Sequence, residues 1–277
     1  MTYLTNQIDL FKKSFKLNKK RLFSVMVLDL LFILISYIAL FLWSSWVSNS
    51  ASRLSGLELE MLTENAFEEL AALKSFYYGT LVCSLLLIIF LFLAWSFFQG
   101  FIWNTILKKG FNLDYFKKFL LLNLACIPLS IIIFFIAVIC LGFFKSVFLF
   151  FSTTGLNTSL VMFILLILFT FILLPVMLYL VNFIWILYFY FTKKNKILDA
   201  FKNTFDIGVK KIHLLYVPCL IMSLVFVLLS AITIPFNILP AWLSSLFSLI
   251  FLIIYAAWMR FYIADFVTKS ERTHHKI

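Results

Sequence analysis

The sequence predicts an all-α polytopic membrane protein. Six transmembrane helices form three pseudo-repeats, each an amphipathic interfacial helix followed by a helical hairpin. Three observations carry this. The 277 residues are 64% hydrophobic and only 13% charged, with a mean hydropathy of +1.07, too little polar surface to coat a water-soluble globule. Apolar runs over 22–47, 76–107, 116–147, 158–191, 212–236 and 240–266 all exceed the ~18 residues that mark a spanning helix. They are apolar on every face, whereas barrel strands would alternate. Finally, one short phrase is written three times, as "IDLFKKSF" from Ile8, "LDYFKKF" from Leu113 and "LDAFKNTF" from Leu198.

The amino-terminal copy opens the chain. Leu4, Ile8, Phe11 and Phe15 are spaced to share one helix face, with Lys12, Lys13, Lys16, Lys19 and Lys20 over the rest. Such a helix lies in the membrane interface with its lysines among headgroups. The first span is too long, and lacks the small-residue site, for a cleaved signal peptide, so it reads as a retained anchor. It carries Asp29, about 12 Å below the inner surface at ~1.5 Å per residue from Arg21. An ionised Asp there costs up to ~2.5 to 3.5 kcal/mol and needs a partner, water or a proton. Arg260, near the inner end of the last span, is the candidate partner.

The following loop is acidic, with Glu58, Glu60, Glu64, Glu68 and Glu69. Asn65 and Glu68 stand at capping-box spacing, so the second span is expected to start as a helix outside the membrane. That span contains Gln99 and Asn104, and ends in "FIWN" with Trp103.

Copy two runs directly into the third span, which holds Asn123 and Pro128. The fourth contains Pro175, Asn182 and the "FIWI" of Trp185. Copy three places Leu198, Phe201, Phe205 and Ile212 on one face, flanked by Lys202, Lys210 and Lys211. Pro218 stands early in the fifth span, and the sixth carries "AAWM" with Trp258. Asn6, Asn112 and Asn195 precede the acids Asp9, Asp114 and Asp199 as N-caps would, and an acid in the first turn complements the helix dipole. The acids are therefore expected to serve the helices rather than catalysis. One domain, 1–277, results, with pseudo-repeats 1–110, 111–194 and 195–277.

The net charge of +11 is informative through its placement. Twenty of the 23 basic residues fall on alternate polar stretches, which puts both termini in the cytoplasm and requires an even number of spans. The lysine clusters abut spans and no nucleic-acid motif occurs, so the expected partner is a bilayer with anionic headgroups, together with other membrane proteins. Headgroup contact is assigned to Lys12, Lys13, Lys19, Lys20, Lys202, Lys210 and Lys211.

Chemistry-bearing patterns are absent from the sequence: no HExxH, GxSxG or Walker A, and the four cysteines all lie in apolar runs without a CxxC. No cofactor or metal is expected, and no enzyme. The inner-half polar residues Asp29, Gln99, Asn123, Asn182 and Arg260 have two readings: an inward-facing polar pocket, or interhelical glue at roughly 0.6 to 2 kcal/mol each. Prolines 128, 175 and 218 free backbone carbonyls, a feature of transporter sites that ordinary spans also tolerate.

The thrice-written phrase resembles six-span membrane families, among them the membrane domain fused to some bacterial glycerophosphodiester phosphodiesterases, where Phe-containing amphipathic segments lead into the spans. The resemblance implies this architecture and lipid association. The soluble phosphodiesterase part has no counterpart here, so it implies no hydrolase activity. The expected function is that of a non-enzymatic scaffold or modulator of membrane components or lipids at the inner leaflet of the cell membrane. The alternative is a small-molecule, ion or lipid transporter using Asp29.

Overall fold

In a computed structural model the structure describes residues 9–12, 14, 19–55, 66–153, 167–210 and 212–274. Leu4, Asn6, Ile8, Lys13, Phe15, Lys16, Asn65, Lys211 and His275, with residues 56–65 and 154–166, lie outside the described residues.

Helices α1 (Lys19–Ser55), α2 (Ala66–Leu107), α3 (Leu113–Thr153), α4 (Leu174–Lys194), α5 (Ile197–Gly208), α6 (Ile212–Thr233) and α7 (Ala241–His274) account for most of the described chain, and no strand occurs among the described residues. All but α5 are long and apolar enough to cross a membrane, with spans over Lys19–Ser52, Leu73–Leu107, Leu113–Val147, Phe169–Lys194, Ile212–Phe236 and Ala241–Glu271. The protein is an all-α polytopic membrane protein of six spans. At 37 to 42 residues, α1, α2 and α3 measure about 55 to 63 Å at ~1.5 Å per residue, roughly twice the ~30 Å hydrocarbon core. Either they tilt or their ends project into the interfaces.

Two compact units are present, Val27–Gln99 and Met1–Met26 with Gly100–Ile277. In the first, α1 and α2 run antiparallel. Trp43 donates to the Ser84 hydroxyl at 3.2 Å, Phe32 packs edge-on against Trp95, and the Trp46 ring lies over Gly79 at a distance a Cβ would narrow to 3.2 Å.

Helix ends in the second unit are set by local chemistry. α2 stops at Lys108, which adopts a left-handed φ of 57°, and the Lys109 N–H then bonds back to the Asn104 carbonyl at 2.9 Å. Asn112 caps α3 as expected, its side-chain oxygen accepting from the Tyr115 N–H at 2.8 Å, and Asp114 in the first turn pairs with Lys118 at 2.8 Å. Copy two does run straight into its span, whereas α5 is a separate helix. Asn195 corrects the expectation. It ends α4 in the left-handed region (φ 56°, ψ 30°), and the extended Lys196 occupies the N-cap of α5 without a side-chain bond. Only two residues link α4 to α5, so Asn195 is committed to the earlier helix. Asn is, after Gly, the residue that tolerates this conformation best.

Burial in the second unit is concentrated in residues 102–126, 178–192, 200–223 and 253–267. Farther along α3, Phe134, Ile139 and Phe143 are 64%, 67% and 72% exposed, side chains for a hydrocarbon solvent rather than a protein core.

Candidate functional site

Every polar residue singled out within the spans is buried: Asp29, Gln99, Asn104, Asn123, Asn182 and Arg260. Asp29 and Gln99 belong to the α1–α2 hairpin unit, the other four to the larger unit. Within the larger unit they face different neighbours. Tyr188 donates to the Asn123 side-chain oxygen at 2.7 Å. Asn182 directs its amide at two sulfurs of α6, Cys219 at 3.5 Å and Met222 at 3.3 Å, while its oxygen has no hydrogen-bond partner. The Arg260 guanidinium lies 5.2 Å from the centre of the Trp185 ring, a cation over an aromatic face. Asn104 turns back to the Gly100 carbonyl at 2.9 Å.

Around these groups is an aromatic core. Phe119 packs 5.0 Å from Tyr188 and 5.7 Å from Phe191, and the Tyr115 hydroxyl shares a 2.8 Å hydrogen bond with Thr192. Sequence reasoning missed Tyr115, Tyr188 and Thr192. A signal existed, because a tyrosine hydroxyl in an apolar span has to find a partner.

Pro175 shows how a freed backbone is re-satisfied. The chain takes a π turn over Phe169–Leu173, in which the Leu174 N–H bonds to the Phe169 carbonyl, and Pro175 follows at the start of α4. Lacking an N–H, Pro175 leaves Thr170, its acceptor in the π register, and Phe171, its acceptor in the α register, short of a donor. Two hydroxyls of α6 supply them: Ser223 to the Thr170 carbonyl at 2.5 Å and Tyr216 to the Phe171 carbonyl at 3.1 Å. From α7, Tyr255 adds a 2.9 Å bond to the Met222 carbonyl.

The three tryptophans near the ends of the second spans, Trp103, Trp185 and Trp258, are all buried, whereas Trp46, Trp95 and Trp242 are exposed. Trp258 donates to the Ser14 hydroxyl at 3.0 Å and meets the Phe11 ring edge-on at 6.2 Å. Contacts of this kind recur. The segment leading into α3 packs on α2, with Phe111, Tyr115 and Phe119 all 3.4 Å from where a Cβ on Gly100 would stand. α5 packs on α4, where Phe205 meets Phe183 edge-on and the Tyr179 hydroxyl donates to the Gly208 carbonyl at 2.8 Å. Each lead segment thus rests on the second span of the repeat before it, and the first rests on the last.

α5 has three faces. Ala200, Thr204, Ile207 and Gly208 are buried; Leu198, Phe205 and Val209, at its end, are 84%, 50% and 51% exposed; Lys202 and the Asp206–Lys210 pair (2.6 Å) occupy the third. Lys12, Lys19, Lys20, Lys202 and Lys210 are exposed. Between the helix ends, Lys109 donates to the Thr192 carbonyl at 2.7 Å and to that of Lys193, and Lys193 pairs with Glu271. Burial, and then the Lys193 charge, push the Lys109 ammonium below its ordinary pKa of 10.5.

Among the described residues no three His, Cys, Asp or Glu side chains gather where a metal ion would be held. Cys83, Cys126 and Cys219 are free thiols. No family model, curated protein or solved structure matches the chain.

Proposed function

We propose that the protein is a non-enzymatic scaffold or modulator of membrane components or lipids, floated on the inner leaflet of the cell membrane by its basic lead segments, with both termini cytoplasmic. The observation that carries this reading is α5. Its buried face is committed to α4, and what remains is a hydrophobic face beside a lysine-bearing one. That combination suits the boundary between acyl chains and anionic headgroups, where each basic residue contributes about 1 kcal/mol. The lead segments also pack on spans of other repeats within the larger unit, so a headgroup that engages them acts on that unit.

The buried polar groups support the same reading. Asn123 is held by Tyr188, and the carbonyls that Pro175 frees are held by Ser223 and Tyr216, the behaviour of interhelical glue.

The test is depth. With an environment-sensitive fluorophore on Leu198→Cys or Lys202→Cys in liposomes, lipids brominated high on the acyl chain should quench the first position, and aqueous iodide the second. Equal iodide quenching at both would defeat the reading.

A transporter using Asp29 is the second reading, favoured by a buried carboxylate in the same unit as Gln99, whose side-chain oxygen is buried without a hydrogen-bond partner. Asp29→Asn should then abolish a pH-dependent flux in proteoliposomes while the protein stays folded. Unchanged flux rules Asp29 out.

A further inference from the structure

α6 and α7 face each other across a slot of about 240 Å³. α6 contributes Phe226, Leu229, Ser230 and Thr233, and α7 contributes Ser248, Phe251, Leu252 and Tyr255. Both sets follow the i, i+3, i+4, i+7 spacing of a single helix face, so the two faces are made for one another. A small serine stands on each face, Ser230 on α6 and Ser248 on α7.

Aromatic pairs pack at both ends of the two faces. Phe236, in the 3₁₀ turn Ile234–Ile238, stacks on Phe247 at 4.6 Å and approaches Phe251. Tyr255 packs on Phe226 at 5.4 Å, fixed by its hydrogen bond to the Met222 carbonyl. The lining residues lie inside the spans Ile212–Phe236 and Ala241–Glu271, and Ser230, Ser248 and Leu252 are exposed, so the slot opens to the hydrocarbon layer.

That geometry selects an occupant. No charged side chain lines the slot, so an ion would be stripped of water without compensation. The lining runs from Phe226 to Thr233 and from Ser248 to Tyr255, about 10 Å at ~1.5 Å per residue, short of the ~15 Å an acyl chain covers in half of a ~30 Å core. The volume lies below the ~300 Å³ at which sites for drug-sized molecules begin. Besides Tyr255, whose hydroxyl bonds to Met222, the lining residues Ser230, Thr233 and Ser248 carry hydroxyls, and even Thr233, which donates to the Ser230 carbonyl at 2.7 Å, keeps acceptor capacity. We propose that this slot binds a compact, uncharged, hydroxyl-bearing amphiphile dissolved in the membrane. The site is independent of the scaffold and transporter readings, since it uses none of their residues.

The experiment uses the full chain in phosphatidylcholine vesicles, labelled by a diazirine derivative of hexanol and mapped by mass spectrometry. The expected result is saturable labelling within 226–255, competed by excess hexanol. Ser248→Leu, which fills the slot from an exposed position, should abolish it. Ser248→Ala keeps the space and should weaken apparent affinity about fivefold, the worth of one hydrogen bond. Labelling that rises linearly with probe, survives Ser248→Leu, or is matched by the diazirine derivative of hexane identifies ordinary lipid-facing surface and overturns the proposal.

Discussion

The Ser223 hydroxyl donates to the Thr170 carbonyl at 2.5 Å, across the interface between α6 and the π turn that precedes α4. The bond exists because Pro175 cannot provide the N–H that this carbonyl would otherwise take. Ser223→Ala should therefore destabilise the fold by about 1 to 2 kcal/mol, the upper range for a hydrogen bond between spans. Ser223→Thr should recover most of the loss. The sharper measurement is a double-mutant cycle with Pro175→Ala in unfolding from bicelles. Restoring the N–H gives the carbonyl a local donor, so Ser223→Ala should then have a smaller effect, and additive effects would contradict the account.

Gly208 is packed against a ring rather than placed in a turn. A Cβ there would stand 2.7 Å from Phe183, whose ring is itself buried against α5 by Phe205. Gly208→Ala should destabilise by about 1 to 3 kcal/mol through overpacking. Gly110→Ala is the control, because its Cβ would meet nothing within 4 Å, and a change within about 0.5 kcal/mol is expected. Hydrogen exchange of α5 amides should accelerate in the first variant alone.

Lys109 supplies a pH dependence with a definite sign. Its folded-state pKa is lowered, by burial first and by Lys193 second. Between that value and 10.5 the unfolded chain holds a proton that the folded chain has released, so stability rises with pH across this window. Lys109→Gln keeps N–H donors for the carbonyls of Thr192 and Lys193 but does not titrate. The pH slope of the unfolding free energy should flatten over the same window, and an unchanged slope would show that Lys109 is not its source.

The spans were legible because a bilayer demands about 20 apolar residues in a row, and the sequence states such runs openly. The Asn112 cap was legible for a similar reason, since a cap and its N–H are three residues apart and need no tertiary information. Asn195 shows the limit: the same residue type before the same phrase was claimed by the preceding helix, because the link was too short to serve both ends. Asn123 and Asn182 were found as polar residues in apolar runs, but their partners, Tyr188 at 65 residues' separation and the Cys219 and Met222 sulfurs at 37 and 40, follow only from how the spans pack. The hydroxyls that answer Pro175 were hidden in the same way, at separations of 45 and 53 residues.

Tyr188 and Asn123 offer the direct test of whether the buried polar groups hold the bundle together. If they are glue, Tyr188→Phe removes the donor to the Asn123 oxygen in an apolar core and should cost about 1 kcal/mol, while Asn123→Leu removes the acceptor of the Tyr188 hydroxyl with a similar loss. Replacing both removes donor and acceptor together, so the double variant should be more stable than the sum of the single losses requires, by about 0.6 to 1.7 kcal/mol. Reversible unfolding of the four proteins in bicelles measures this coupling. A polar pathway predicts the opposite pattern, because water would satisfy either group when its partner is removed. The single variants would then be nearly neutral, and the coupling would vanish.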